Sequence, residues 1–390
     1  MSTVRLKRFI SDMDKPLLFA TIFLFIFGLL NVVTASSSEA VTSAVPLYYY
    51  FYRHLAMIGA GFILTIIILN MKTKRYKPWA IIGYIAVVML LAYLSMYGAD
   101  HRGSRNWINL GFMQFQPSEF AKPILIVCLA LLFEKYYYRL RSKKYKHWDM
   151  IAKIVVVGGL IPFIVFTQKD LGTMFILFSI FAVMFWVSPI LPKEKLKTIG
   201  IVFILVVVAL CTKLAVSGHI LSGAQKSRFD FFNPCSKYET GGYQICNGMI
   251  AINDGGLMGL GAGKSKQKYS YIPEPHTDSV FAIIAEEEGF LKCSIVFLLY
   301  IIVLYRILNL SAKANTVRGR YICIGVAVYI FTHIFLNLGG LFGVIPLTGV
   351  PLPFLSYGGS FTISLMVVLA MVQRISVETK REKIKIPTLK

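Results

Sequence analysis

Long apolar runs alternate with short polar segments along nearly the whole chain. A helix needs about 20 apolar residues to cross the hydrocarbon core of a bilayer, and tilt accommodates shorter or longer runs. Ten segments fit this description: residues 17–34, 54–70, 78–97, 118–133, 151–167, 171–187, 198–216, 279–308, 321–342 and 358–373. The pattern predicts an all-α polytopic membrane protein of about ten transmembrane helices, forming one integral membrane domain over residues 1–390.

Basic residues predict how these helices are oriented. They are concentrated at the N-terminus, in alternate connections and in the tail: residues 5–15, 72–77, 135–146, 193–197, 313–320 and beyond 374. Because short basic loops stay in the cytoplasm, both termini are predicted to be cytoplasmic. The other connections then lie outside. The longest of them, residues 217–278, is predicted to be a large extracellular loop between helices 7 and 8.

Composition supports the same class of protein. The 390 residues are 56% hydrophobic and 15% charged, with a mean hydropathy of +0.65, which is far more apolar than a soluble domain needs. The net charge of +22 comes from basic residues between apolar runs, so topology and anionic lipid heads explain it better than nucleic acid does. The six cysteines show no metal-ligand spacing. Cys235 and Cys246 share the large outside loop and could form a disulfide, and the sequence leaves this pairing open.

The first polar loop of chemical interest precedes the fourth helix. Arg102, Arg105 and Trp107 could hold an anionic, amphipathic head group at the membrane surface, although an aromatic-belt anchor with snorkelling arginines is an equal alternative. Further on, Glu119 and Lys122 are three residues apart on one helix face and could pair within the membrane boundary, in a functional or a purely structural ion pair.

Two turns add candidate helix caps. Ser118 follows Pro117 and is a plausible N-cap of the fourth helix. The turn QKDLGT joins the fifth and sixth helices so tightly that its polar groups must line a cavity or find protein partners. Asp170 and Thr173 could equally serve only as capping groups there.

The large outside loop ends in a stiff segment with a single aspartate. Its GLGAGKS stretch follows no predicted strand, so a phosphate-binding loop is rejected. Pro273 and Pro275 restrict the backbone around Glu274 and deliver His276 and Asp278 just before a helix. Asp278 could be a reactive acid, or only the N-cap of that helix.

Two further stretches predict a polar cavity at membrane depth. Three adjacent carboxylates, Glu286 to Glu288, cannot all face lipid, so at least one is expected to face a cavity. The segment GVIPLTGVPLPFLSYGGSF breaks the chain with three prolines and carries the hydroxyls of Ser356, Tyr357 and Ser360. Irregular backbone of this kind is tolerated only inside protein or beside water.

Five motifs together resemble one known family. NWINLGFMQFQPSEFAK, QKDLGT, SRFDFFNP, YIPEPHTDSVFAIIAEEEGF and PLTGVPLPFLSYGGSF follow one another as in the SEDS proteins of shape, elongation, division and sporulation, typified by FtsW and RodA. The form QKYSYIPEPHTD is more similar to FtsW-like and sporulation members than to RodA-like ones.

The resemblance implies a ten-helix peptidoglycan glycosyltransferase that polymerises lipid II into glycan strands at the outer face of the bacterial cytoplasmic membrane, in division or elongation. It also implies a partner, a single-pass class B penicillin-binding transpeptidase. By motif, Asp278 resembles the essential acid, Trp107 the essential tryptophan, and Glu119 with Lys122 a cavity pair. Asn106 departs from the family, which often has an arginine there, and this leaves that role to Arg105.

The implied reaction assigns roles to the remaining candidates. Asp278 is expected to be the general base for an acceptor hydroxyl, and nearby cations are expected to stabilise the departing pyrophosphate. The substrate-binding candidates are Arg102, Arg105, Trp107, Glu119, Lys122, Lys226, Arg228, Lys268, His276, Ser356 and Ser360. A divalent cation could share this task, and the sequence leaves a metal open. The alternatives are a lipid II flippase, with the intramembrane acids as its polar path, and a scaffold without polymerase activity.

Overall fold

Ten long helices coincide with the ten predicted segments. A computed structural model of the chain describes residues 9–98, 104–109, 111, 114–142, 147–217, 233–237, 242–269 and 271–385. We number the long helices in chain order: α1 Lys15–Ala35, α2 Tyr49–Asn70, α3 Tyr76–Tyr97, α4 Pro117–Arg141, α5 Trp148–Thr167, α6 Leu171–Val187, α7 Pro192–Ser217, α8 Val280–Lys313, α9 Val317–Leu341 and α10 Ser360–Lys385. Several of them continue past the apolar run into basic residues, because hydropathy marks only the part of a helix that matches the bilayer.

Burial separates central helices from peripheral ones. Of the most apolar stretch of each helix, 83% is buried in α10 and 67% in α9, but only 11% in α2 and 22% in α3. The outward faces of α2 and α3 carry large apolar side chains such as Phe62, Ile67, Ile82 and Met89. By length and composition, seven helices of the described residues are suited to cross a membrane, and their apolar outer faces fit a lipid environment. The fold is therefore an all-α polytopic membrane protein.

The chain between α7 and α8 is folded where the structure describes it. A 13-residue helix, Tyr243–Gly255, which we call the loop helix, packs against α8. A short 3-10 turn, Pro234–Lys237, is linked to it by a disulfide between Cys235 and Cys246, the pairing that the sequence left open. The loop helix thereby places the start of α8 and the segment before it against the bundle.

Helix α8 is broken at Gly289, whose φ of 75° is left-handed. The glycine-rich segment after the loop helix fills the break: the amides of Leu260 and Gly261 donate to the carbonyls of Glu286 and Glu287, at 2.9 Å each. A side chain at Gly289 would meet the backbone nitrogen of Gly259 at 2.2 Å. The glycines therefore allow the two backbones to touch. The backbone amides of the glycine-rich segment replace the hydrogen bonds that α8 loses at the break.

The acidic run of α8 turns toward this segment and not toward a cavity, as the sequence had suggested. Glu286 accepts hydrogen bonds from the hydroxyl of Ser265 at 2.5 Å and from the amide of Lys266 at 2.8 Å. Glu287 forms an ion pair with Lys268 at 2.9 Å, and both side chains are buried. Glu288 pairs with Lys292 at the surface. The expectation that one of these acids faces a cavity is wrong, because the neighbouring loop supplies their partners.

Candidate active site

A polar cavity of about 660 Å³ lies where seven parts of the chain meet. These parts are the loop before α4, the start of α4, the turn between α5 and α6 with the start of α6, the loop helix, the segment before α8, helix α9, and the irregular segment between α9 and α10. Its charged and hydrogen-bonding lining includes Asn106, Trp107, Gln116, Glu119, Lys122, Lys169, Asp170, Thr173, Gln244, Glu274, Thr277, Asp278, His333, Thr348, Tyr357 and Ser360. A cavity with this many convergent polar groups is the natural candidate for an active site.

Asp278 lines this cavity and does not cap α8. The helix begins at Val280, its N-cap position is Ser279, and no side chain accepts a capping hydrogen bond there. The side-chain nitrogen Nδ2 of Asn337 donates to the backbone carbonyl of Asp278 at 2.6 Å and to that of Val350 at 2.8 Å. Asn337 therefore ties the aspartate to the segment after α9. Of the two roles open in the sequence, the N-cap is excluded.

The surroundings of Asp278 hold its proton more tightly than water would. Burial, and secondly the nearby charge of Glu274, raises the pKa of Asp278 to about 6, and hydrogen bonds from Thr277 and Gln244 lower it in part. The Thr277 hydroxyl lies 3.3 Å from both Glu274 Oε2 and Asp278 Oδ1, so it connects the two carboxyl groups. A carboxyl group with a pKa near neutrality, facing a cavity, is suited to take up a proton.

The segment that presents these acids is constrained as its two prolines predict. Glu274, between Pro273 and Pro275, has a φ of 52°, which is left-handed for a residue with a side chain. The carbonyl of His276 accepts a hydrogen bond from the amide of Tyr357 at 2.8 Å. The strained turn is therefore held by the segment before α10, and Asp278 follows it at a fixed position.

A buried triad forms another part of the cavity wall. Lys122 Nζ donates to Glu119 Oε1 at 2.7 Å, which confirms the predicted pair, and it lies 3.1 Å from His333 Nε2. His333 Nδ1 lies 3.1 Å from the carbonyl oxygen of Pro351, which can only accept. The proton therefore sits on Nδ1, and Nε2 accepts from Lys122. Glu119 and His333 thus hold the ammonium group at the cavity.

The loop before α4 reaches the cavity through Trp107 and Asn106. Two short strands pair antiparallel in this loop and fix its conformation: β1, Ile108–Asn109, and β2, Gln114–Phe115. Asn106 Nδ2 donates to Asp170 Oδ2 at 2.6 Å. The buried Asn106 therefore binds the turn between α5 and α6.

One of the predicted helix caps is confirmed and another is wrong. Asp170 Oδ1 accepts from the amide of Thr173 at 3.0 Å, which confirms Asp170 as the N-cap of α6. Ser118 is not an N-cap: α4 begins at Pro117 after Gln116, and the buried Ser118 hydroxyl has no hydrogen-bond partner among the described residues.

Four predicted substrate contacts lie outside the cavity. Arg105 is exposed, and its backbone amide donates to the carbonyl of Gln168 at 3.2 Å. Lys268 is committed to Glu287, and the Ser356 hydroxyl accepts from the amide of Leu352 at 2.7 Å. His276 is buried behind Tyr357 with a ring-to-ring distance of 5.3 Å, and burial lowers its pKa. Each is absent from the lining because the fold gives it a partner or a surface elsewhere.

The remaining predicted contacts divide in the same way. Trp107, Glu119, Lys122 and Ser360 line the cavity, and the Ser360 hydroxyl accepts from the amide of Gln116 at 3.1 Å. The predicted cations Arg102, Lys226 and Arg228 lie outside the described residues.

Sequence reasoning missed several cavity residues. His333 lines the cavity, and Asn337 does not line it but binds the backbone of Asp278. Both are polar residues inside the apolar run of α9, and an intramembrane polar side chain is itself a signal for function. Glu274 was noted only for its backbone. Lys169 was part of a noted turn but was given no role toward substrate.

The motif resemblance is supported by comparison with known proteins. The model of the FtsW/RodA/SpoVE family, described as cell cycle protein, matches residues 15–381. The chain is 33% identical over 386 residues to the probable peptidoglycan glycosyltransferase FtsW of Bacillus subtilis (strain 168), covering 96% of this chain and 93% of that protein. It is 30% identical over 332 residues to the peptidoglycan glycosyltransferase MrdB of Escherichia coli (strain K12), covering 84% and 86%.

Solved structures share the fold. A peptidoglycan synthase complex, solved to explain the structural coordination of polymerization and crosslinking, contains a chain with a TM-score of 0.73 and 26% identity, over 94% of this chain and 98% of that one. The rod shape determining protein RodA of Thermus thermophilus has a TM-score of 0.65 at 24% identity, covering 93% and 96%. Since the family model and relatives at 30% identity or more span most of its length, the chain belongs to the FtsW/RodA/SpoVE family of multi-pass bacterial membrane proteins.

Proposed function

We propose that this protein is a peptidoglycan glycosyltransferase that polymerises lipid II, with Asp278 as the general base. One observation carries the assignment of the base: Asp278 faces a polar cavity with a raised pKa, and it caps no helix. The relatives named above as peptidoglycan glycosyltransferases support the reaction class.

The reaction joins two lipid-linked glycans. A hydroxyl oxygen of the acceptor attacks the anomeric carbon of the donor, and the bond from that carbon to the pyrophosphate oxygen breaks. The hydroxyl proton passes to the Asp278 carboxylate, while the bonding electrons leave with the lipid pyrophosphate. Proton removal by a positioned carboxylate contributes about 10²–10⁴-fold to such a step.

The cavity walls divide the remaining tasks. Lys122, held by Glu119 and His333, directs a fixed positive charge toward the site of the departing pyrophosphate. Trp107 offers a flat apolar face to a sugar ring. A divalent cation could also bind the pyrophosphate. Adding a chelator to the polymerisation assay tests separately whether the reaction needs one.

The proposed orientation places this chemistry outside the cell. Ten helices cross the cytoplasmic membrane with both termini inside, so the loop of residues 217–278, which forms part of the one integral membrane domain, is extracellular. The polyprenyl tails lie between helices, in contact with lipid, and the carbohydrate stays in water. The partner is a class B penicillin-binding transpeptidase that cross-links the product in division or elongation. The likeness to a chain of a synthase complex supports a partner of this kind.

The test is polymerisation of labelled lipid II by the purified protein with its transpeptidase partner. We expect Asp278→Asn to lower the initial rate by at least 100-fold. Asp254→Asn is the matched control, because Asp254 is exposed on the loop helix, and it is expected to change the rate less than twofold. A polymerising Asp278→Asn variant would refute the role of the base.

The same preparations separate the alternatives. A wild-type protein that moves lipid II across vesicles without polymerising it would be a flippase. One that does neither, with its partner present, would be a scaffold. The acids Glu286 and Glu287, which a flippase path would use, are committed to the neighbouring loop, which favours the polymerase.

A further inference from the structure

We propose that Lys169 binds the pyrophosphate of the lipid-linked substrate. This assignment rests on the proposed function and names a residue of the same site. Lys169 lies in the turn between α5 and α6, lines the cavity and is exposed to it. The sequence motif around it, QKDLGT, had suggested only caps or cavity lining.

The described lining of the cavity contains more acidic than basic side chains. Four carboxyl groups line it, those of Glu119, Asp170, Glu274 and Asp278, against two lysines. Lys122 is already paired with Glu119 and hydrogen-bonded to His333. Within the described part of the chain, Lys169 is then the lining cation whose ammonium group makes no hydrogen bond or ion pair. A dianionic pyrophosphate entering this acidic cavity needs an available cation.

Among the described residues, Lys169 forms no ion pair with the adjacent Asp170. Asp170 has other partners: its Oδ1 accepts from the amide of Thr173 at 3.0 Å, and its Oδ2 accepts from Asn106 at 2.6 Å and from Gln116 at 3.3 Å. The carboxylate therefore holds the loop before α4 against the turn. The lysine ammonium remains available to a ligand.

The backbone of Lys169 is held in an unfavourable conformation. Its φ is 63°, in the left-handed region, at the second residue after the end of α5, where glycine is the usual choice. Its amide donates to the carbonyl of Phe166, and the preceding carbonyl of Gln168 accepts from the amide of Arg105. A residue with a side chain, held in a left-handed conformation at the rim of a cavity, points to a role in ligand binding.

The depth of this turn fits the ligand. The turn joins two adjacent apolar helices of 20 and 17 residues, so it lies at the membrane–water boundary. A lipid-linked pyrophosphate lies at that same level, since its tail is in lipid and its sugars are in water. An ammonium group with three donors can follow the oxygens as charge develops on the leaving group.

Three variants test the assignment in the complex with the transpeptidase partner. Lys169→Gly removes the cation and relieves the strained φ, so it is expected to fold at least as well as wild type. Lys169→Arg keeps the charge. Lys264→Gln is the matched control, because Lys264 is an exposed lysine in the segment between the loop helix and α8 and does not line the cavity. The measurements are initial rates against lipid II concentration, and inhibition by undecaprenyl pyrophosphate compared with undecaprenyl monophosphate.

We expect Lys169→Gly to lower kcat/KM about tenfold or more, the usual effect of losing a charge-assisted hydrogen bond. It should also weaken inhibition by the pyrophosphate more than by the monophosphate. Lys169→Arg should retain most of the activity, and Lys264→Gln should match wild type. A Lys169→Gly enzyme with wild-type rates and unchanged pyrophosphate inhibition would overturn the assignment while leaving the polymerase intact. If wild type itself does not polymerise lipid II, the proposed function fails instead.

Discussion

Replacing Lys268 with Met tests whether a buried ion pair holds the segment that leads to Asp278. Lys268 and Glu287 are each 1% exposed and 2.9 Å apart. Without the lysine, Glu287 Oε1 keeps only the amide of Ser265 at 3.3 Å, and Oε2 has no hydrogen-bond partner in the described residues. Leaving one charge of a buried pair uncompensated costs about 3–5 kcal/mol, so we expect Lys268→Met to fall in this range.

The assay is thermal unfolding of the purified protein in detergent, within a double-mutant cycle. Lys268→Met should lower the melting temperature by roughly 5 °C or more. The double variant Lys268→Met/Glu287→Gln removes both charges and should recover about 2 kcal/mol or more of the loss. The surface pair Glu288 with Lys292 is the matched control, and Lys292→Met should cost about 1 kcal/mol or less. A Lys268→Met variant as stable as Lys292→Met would refute the reasoning.

Three further predictions concern the acid, its tether and the break in α8. The initial polymerisation rate should rise with pH through about 6, because Asp278 must be ionised to act as a base. Burial is the main cause of the raised pKa of Asp278, and the charge of Glu274 adds to it. Glu274→Gln removes that second cause, so the midpoint of the pH–rate profile should move down, and an upward shift would contradict the contribution of Glu274. An aspartate at position 337 cannot donate hydrogen bonds to the carbonyls of Asp278 and Val350, so the polymerisation activity of Asn337→Asp at equal protein level should drop about tenfold or more. Asn337→Gln keeps the donor and tests whether the length of the side chain matters. Gly289→Ala places a Cβ 2.2 Å from the backbone nitrogen of Gly259, at a φ of 75°. Thermal unfolding should show that the free energy of unfolding falls by about 3 kcal/mol or more. An unchanged stability would mean that the backbone at the break can move to accept a side chain.

The long helices were predictable from the sequence. Each predicted apolar segment overlaps one long helix to within two residues of its ends or lies inside it, because a chain in lipid must satisfy its backbone hydrogen bonds locally and must match the thickness of the bilayer. Glu119 with Lys122 was also predictable, since residues three apart share a helix face. The cap at Asp170 likewise depends on neighbours in sequence.

What the sequence by itself determined was therefore local: the apolar segments, the cap at Asp170, the pair of Glu119 with Lys122, and the motifs that relate the chain to its family. The tertiary structure alone decided which partner each remaining polar group takes. Lys268 lies with Glu287, 19 residues away, Asn337 with Asp278, 59 away, and His333 with Lys122, 211 away. Buried polar groups must be paired, but which group pairs them depends on how the helices pack. That packing removed Lys268 and Glu286 from the predicted cavity and brought Lys169 and His333 into it.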